Sequence, residues 1–471
     1  MAFYQVNRGI RKDFTVCFSS LTFKHKNGML KSSRKAKSAV SENLERGEIL
    51  RKPIKSLLKN KSYLSYFFAT AFSMGSSNIL QFTLALYILE KTGSPLVYAS
   101  ILSIIVIPRI LLTPVGGVVG DRLKRISIMK TLNMLQILVM SIYAVYSGMC
   151  GDISLISVYI LVIILEMVEV FYNSAESSIL SEIIDKELME EAVTLSRVDD
   201  GIVYITTPML AAFIYKSFGI FGSFVLISTL LVFSLILNFF IETPYADELK
   251  EKNSKGIKSF FSEFVEGINE LRKDRFSKIF VIVAPLINFS FSAIFSVVIT
   301  YVFLEVFKTS EYIYGIYRMA TAGISILLPF LILPIIKKIK AEKLLKYSAI
   351  SISGFLFLIA CCVYYGMGAG KDNIVLVVCL ITFLDCLVIS SVMPLNIATQ
   401  VFFQKNIKNK FRSRIMSVFS MLALSSIPLG NMFYGFLANI MPAYMCIFIA
   451  SLAVLITYPL ILYISKDKSL R

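Results

Sequence analysis

Apolar runs long enough to cross a bilayer recur about a dozen times between Tyr63 and Ser465, and the charged residues fall almost entirely between them. A hydrocarbon core about 30 Å thick takes about 20 residues at about 1.5 Å of helical rise each, and these runs are mostly about 20 to 30 residues long. Lipid satisfies no backbone hydrogen bond, so runs of this length must be helices. With 56% hydrophobic residues, 17% charged residues and a mean hydropathy of +0.72, a water-soluble domain of 471 residues is excluded.

The expected fold is therefore all-α and integral to the membrane, with twelve spans at 62–89, 95–119, 126–149, 152–180, 195–218, 220–241, 276–306, 311–336, 343–366, 372–403, 412–438 and 441–465. Two of the divisions rest on brief turn signals, Phe218-Gly219-Ile220-Phe221-Gly222 and Asn439-Ile440-Met441-Pro442. Charge supports the even count. With both termini cytoplasmic, 42 of the 48 Lys and Arg residues fall on the inner side, as the positive-inside rule requires. Only Lys91, Lys216, Lys308 and Lys371 fall outside, and Arg109 and Arg318 lie within helices. An odd count would place the two basic ends on opposite sides.

The longest loop between spans divides the chain into halves. This gives a basic cytoplasmic tail at 1–61, a six-helix bundle at 62–241, a linker at 242–275, a second bundle at 276–465 and a short cytoplasmic tail at 466–471. In the linker, Ile257, Phe260, Phe261, Phe264, Ile268 and Leu271 recur at helical spacing opposite Lys258, Glu263, Glu266 and Arg272, which predicts an amphipathic connector on the inner face. The first 61 residues carry 15 basic against 4 acidic side chains, a composition suited to disorder and to contact with anionic lipid. Translation beginning later, as at Met29, is the other expectation for this stretch. A signal peptide fits it poorly.

The seven cysteines are scattered, mostly inside apolar runs, and read as packing thiols. The single histidine, His25, lies in the polar tail, so neither a His-ligated metal nor a His-based triad is expected. No nucleotide-binding loop of the form G-x-x-x-x-G-K-[ST] is present, and no nucleophile and base stand at a recognisable spacing. The reading is of a non-enzyme without cofactor or nucleic-acid partner, whose partners are a small-molecule substrate, protons and the bilayer of the plasma membrane. It is expected to act as a monomer.

Two constellations carry chemistry. At the inner end of the second span stands Gly117-Val118-Val119-Gly120-Asp121-Arg122-Leu123-Lys124-Arg125. Asp121 lies at a helix C-terminus, where the macrodipole disfavours an anion, so another group must hold it. Arg414, at the inner start of the eleventh span, is the expected partner across the seam between halves. A contact of this kind would make and break as an inner gate shuts and opens. The second constellation is a stripe on the fourth span, where Glu166, Glu169, Asn173 and Glu176 lie within about 80° of one another at about 100° per residue. Ionisable residues at this depth are functional candidates.

Reckoned at about 1.5 Å per residue from the inner ends, Glu169 lies about 20 Å deep and Arg109 about 18 Å, so these two are expected to pair. Glu166 would then be left able to take up a proton. On the tenth span Asp385 is the counterpart of Glu166, if Ser174 aligns with Pro394, and Asn396 and Gln400 accompany it. Asn78 and Gln81 on the first span and Asn288 on the seventh are expected to line the cavity. A static ion pair, a lone hydrogen-bonded Asp and aromatic packing are the structural alternatives for these groups.

The glycine, acid and base pattern from Gly117 to Arg125 resembles the loop signature G-x-x-x-D-R-x-x-R of the major facilitator superfamily, in position and orientation as well as in letters. Three further stretches resemble that family's drug and siderophore exporter branch, which includes macrolide efflux and enterobactin exporter proteins. These are Phe171-Tyr172-Asn173-Ser174-Ala175, with Ile179-Leu180-Ser181-Glu182-Ile183 and Ala192-Val193-Thr194-Leu195 after it; Thr207-Pro208 with Ala211-Ala212; and Arg412-Ser413-Arg414 with Pro428-Leu429-Gly430 and Gly435. The departures are Ser174 for the usual Pro, Thr207 and Ser413 for Gly, and a second-half loop, Lys337-Lys338-Ile339-Lys340, that lacks the carboxylate.

The resemblance implies two pseudo-symmetric six-helix bundles rocking about a central site, with Gly117, Asp121, Arg122, Arg125 and Arg414 at the gate. It also implies proton-coupled efflux of amphiphilic small molecules. An importer or lipid flippase on the same scaffold is the alternative within the class. A membrane sensor or scaffold recruiting through the basic tail is the alternative outside it.

Overall fold

The computed structural model describes residues 56–245, 275–336, 339, 341–368, 371–406 and 409–465. The basic tail up to residue 55, the amphipathic stretch expected at 257–272, most of the second-half loop at 337–340 and the final tail lie outside the described residues. So do the side chains of Asp121, Arg122 and Arg414, and the proposed contact between Asp121 and Arg414 with them.

Twelve long helical segments follow one another among the described residues: α1, Lys61–Thr92; α2, Pro95–Ile104 continuing as Val106–Arg122; α3, Arg125–Cys150; α4, Leu155–Ile183; α5 and α6, a run Met189–Phe239 broken at Gly219. Then come α7, Arg275–Ala293 continuing through two π turns to Val306; α8, Glu311–Ile336; α9, Ala341–Gly368; α10, Lys371–Asn406; α11, Asn409–Ile440; and α12, Ala443–Ser465. Ten stretches among them are long and apolar enough to span a membrane by length and composition, with Glu191–Phe239 counted once.

Local chemistry sets these boundaries. The side chain of Asn60 caps α1 by accepting the Tyr63 N–H, and Gly93 ends the helix in the left-handed region at φ 59°, where a Cβ would be strained. Ser94 and Pro95 start α2 immediately afterwards, as cap and first helical residue. Gly219, at φ 63° and ψ −158°, is the whole of the α5–α6 junction. Within α2 the break at Ile105 has its cause three residues on, at Pro108, which has no N–H to offer the Ile104 carbonyl four residues before it.

The helices fall into two groups by their contacts. In the first, α1 and α3 pack on α5–α6, and α4 packs on α2 and α3; in the second, α9 packs on α10 and α12, α7 on α11 and α12, and α8 on α10. Two seams join the groups, α2 against α11 and α5 against α8. Lipid tails are as apolar as leucine, so what holds such helices together is close packing and interhelical hydrogen bonding. Asn133 donates to Ser234 (3.0 Å), which donates to the Ala69 carbonyl (2.8 Å), tying α3, α6 and α1. Ser353 and Ser451 exchange hydroxyl-to-carbonyl bonds of 2.9 and 3.0 Å between α9 and α12. Leu111, Met149 and Ile156 face outward, as lipid contact requires.

Close packing is most demanding at Gly430 of α11, where an added Cβ would stand 2.0 Å from the Phe289 carbonyl oxygen on α7. Backbone cannot yield there as a flexible side chain would. Gly430→Ala is expected to destabilise the fold by about 1–3 kcal/mol, as overpacking does, and to lower the thermal midpoint followed by circular dichroism. An unchanged midpoint would mean that α7 and α11 approach less closely than this.

Candidate substrate cavity

A cavity of about 350 Å³ lies between the two groups of helices, lined from both sides. Asn78, Gln81 and Phe82 of α1 and Tyr98 of α2 face Phe291 and Phe295 of α7, Tyr314, Tyr317 and Arg318 of α8, and Asp385 of α10. A smaller polar recess of about 70 Å³ lies inside the first half, and Gln81, Arg109, Glu166 and Glu169 line it. Gln81 borders both spaces.

In each half a buried carboxylate on the fourth helix, Glu166 of α4 or Asp385 of α10, meets a side chain from the second helix, α2 or α8. In the first half Arg109 Nε meets Glu166 Oε1 at 2.7 Å, with the carboxylate side chain 8% exposed and the arginine 50%. This corrects the expected pairing of Arg109 with Glu169. Glu169 instead turns toward α1 and α3, accepting from Ser77 (3.3 Å), Gln136 (3.2 Å) and Asn173 (3.4 Å). Depth along straight axes ignores both the break at Ile105 and the rotation of α4. In the second half the Tyr317 hydroxyl donates to Asp385 Oδ2 at 2.7 Å, while Asp385 Oδ1 is buried without a hydrogen-bond partner.

Asn78 and Gln81 lie where the sequence places them, and Asn78 Nδ2 is also buried without a partner. Asn288 does not line either space, and its amide donates to the Ala423 carbonyl at 3.3 Å, binding α7 to α11. Arg125 forms an ion pair with Glu182 at 2.7 Å, both largely buried, which anchors the start of α3 to the end of α4 within one half. The sequence marks Arg318 only as an arginine within a helix, itself a signal, and does not single out Tyr317, Tyr314 or Tyr98.

Both seams close tightly at the end of the molecule that carries the Gly93 turn. Gly435 of α11 approaches α2 so nearly that a Cβ would stand 2.4 Å from Ala99 Cβ, and at Gly315 of α8 it would stand 3.0 Å from Ala212 Cβ of α5. Ser94 donates to Asn439 at 3.2 Å, Lys216 pairs with Glu311 at 3.3 Å, and the rings of Phe82 and Tyr314 stack at 5.1 Å. At the same end, outside the apolar segments, Asp152 is held at a pKa of about 2, chiefly by hydrogen bonds from Lys91 and Tyr87. Among the described residues the cysteines are free and no cluster of His, Cys, Asp and Glu is arranged to hold a metal.

Apolar helices in two groups about a shared cavity define a multi-pass membrane protein. The sequence profile of the Major Facilitator Superfamily matches residues 66–431, and the chain belongs to that family. An uncharacterised transporter of the same type from Bacillus subtilis strain 168, YkuC, is 25% identical over 226 residues, 46% of this chain and 51% of that protein. The chain thus spans about half the length of the curated relative it matches.

Among solved structures, a bacterial homologue of the iron transporter ferroportin, in an inward-facing state, superposes with a TM-score of 0.69 at 14% identity, covering 87% of this chain and 99% of that one. The nucleoside transporter NupG superposes with a TM-score of 0.66 at 14% identity, covering 87% and 100%. At such identities the likeness is one of fold.

Proposed function

We propose that this protein is a secondary active transporter that moves small amphiphilic molecules by alternating access and works as a proton-coupled exporter of the drug and siderophore branch. The observation that carries the reading is a cavity enclosed by both halves and holding an incompletely satisfied carboxylate, Asp385, beneath seams packed tightly at the Gly93 end. A polar group in such a place is costly unless it serves a passing ligand or ion. Glu166 with Arg109 and Asp385 with Tyr317 are the two places where a proton can exchange against a partner's hydrogen bond. Export follows from the motif resemblance, with the Gly93 end facing out and both termini inside the cell.

The test is transport by the full chain in inverted membrane vesicles, with and without an imposed proton gradient. Gradient-dependent accumulation of an amphiphilic dye, lost in Asp385→Asn, is the expected result. Accumulation in right-side-out vesicles alone would reverse the direction. Indifference to the gradient would remove the proton.

A further inference from the structure

The chemistry of the cavity wall narrows the substrate. Arg318 is exposed to the cavity, and its guanidinium makes no hydrogen bond or direct ion pair among the described residues, while the Asp385 charge acts on it from farther off. Its neighbour in sequence, Tyr317, is engaged, its ring tilted against Phe303 at 4.6 Å and its hydroxyl donating to Asp385 Oδ2. That contact uses one carboxylate oxygen and leaves Oδ1, on a residue 3% exposed, without a partner. Asn78 contributes a buried amide nitrogen that is likewise unpartnered.

Three residues bearing unmatched groups therefore line one space. Arg318 and the Nδ2 of Asn78 can only donate to an occupant, whereas Asp385 Oδ1, when ionised, can only accept. A purely cationic or a purely apolar occupant would leave Arg318 unmatched, and a purely anionic one would be repelled by Asp385. Leaving a guanidinium or a carboxylate oxygen unmatched in a low-dielectric site costs free energy, so an occupant that matches both is favoured over one that matches either.

We propose that the cavity takes an organic zwitterion, one bearing an anionic oxygen group for Arg318 and Asn78 and an ammonium or other N–H donor for Asp385 Oδ1. Its apolar body lies against the rings of Phe82, Phe291, Phe295 and Tyr314. The cavity volume lies within the range of about 300–1,000 Å³ usual for small-molecule sites. Arg318 supplies a planar fork suited to carboxylate or phosphate, which a lysine would not reproduce. This assignment rests on the transporter reading, since it takes the cavity to be the substrate site, but binding tests it without transport.

The experiment is calorimetric titration of the full chain in lipid nanodiscs with four probes of one skeleton: phenylalanine, 3-phenylpropionate, 2-phenylethylamine and phenylalaninamide. Phenylalanine is expected to bind at least tenfold more tightly than the acid or the amines. Arg318→Gln should lower phenylalanine affinity at least tenfold and leave 2-phenylethylamine within twofold. Asp385→Asn should weaken phenylalanine but leave 3-phenylpropionate within twofold, a split that general misfolding would not produce. Tightest binding by an amine without sensitivity to Arg318→Gln, equal binding of all four, or no binding of phenylalanine overturns the proposal. Gradient-driven dye transport together with any of these would leave the transporter standing and remove the zwitterion. Probe binding as expected, with no transport, would do the reverse.

Discussion

A disulfide between Ser94→Cys and Asn439→Cys is expected to stop transport almost completely, to below one-tenth of the reduced protein, and reduction should restore it. The two side chains touch at 3.2 Å across the seam between α2 and α11. Gly435 brings α11 so near α2 that a Cβ would stand 2.4 Å from Ala99 Cβ, and Gly315 gives α8 a close but less demanding approach to α5, at 3.0 Å. Interfaces packed this closely are bistable rather than gradually deformable, so a cycle that opens the Gly93 end must separate them as rigid surfaces. A covalent tie at the rim forbids that separation. The measurement is vesicle transport by a variant in which the seven native cysteines are replaced, after oxidation and again after reduction. Full transport by the cross-linked protein would show that this end does not open during the cycle. Gly435→Leu should produce the complementary defect, an end that cannot close, seen as increased thiol labelling of Tyr98→Cys in the cavity.

How much of this was legible beforehand depends on what each residue reports. Span positions follow from apolar runs and turn chemistry, and Gly93-Ser94-Pro95, Gly151 and Gly219 all stand at breaks between helices. The acidic stripe of α4 follows from helical periodicity; two of its members, Glu166 and Glu169, line one recess, while Asn173 is exposed. Partner choice does not follow. A depth along the axis says nothing about which neighbour a side chain faces, and Pro108 breaks α2 next to the arginine whose reach was being judged. Asn288 shows the same limit, because only the position of α11 decides whether its amide meets water or the Ala423 carbonyl. Tyr317 could not be told from the many packing aromatics, since its distinguishing feature is one hydrogen bond to a residue 68 positions away. The gate expected at Asp121 and Arg414 stays a proposal carried by the loop motif.

The second large effect is expected at Arg109. Arg109→Gln removes the guanidinium that meets Glu166 at 2.7 Å and leaves a carboxylate, 8% exposed, without its counter-charge. Breaking a fully buried ion pair from one side costs about 3–5 kcal/mol, because the remaining charge stays desolvated. Arg109 is half exposed, so water already screens part of the attraction and about 2 kcal/mol is the expected loss. Glu166→Gln should cost less, for it leaves the cation on the wetter side of the pair. The double variant Arg109→Gln with Glu166→Gln should recover most of the stability of the wild type, since two neutral amides can bond to each other. Transport should not recover with it. If Glu166 carries a proton during the cycle, a glutamine there cannot release one, and the double variant is expected to be well folded and uncoupled from the gradient. Thermal midpoints and gradient-driven flux on the same four proteins separate the two roles. Recovery of both together would make the pair a structural tie only, and would pass the coupling role to Asp385.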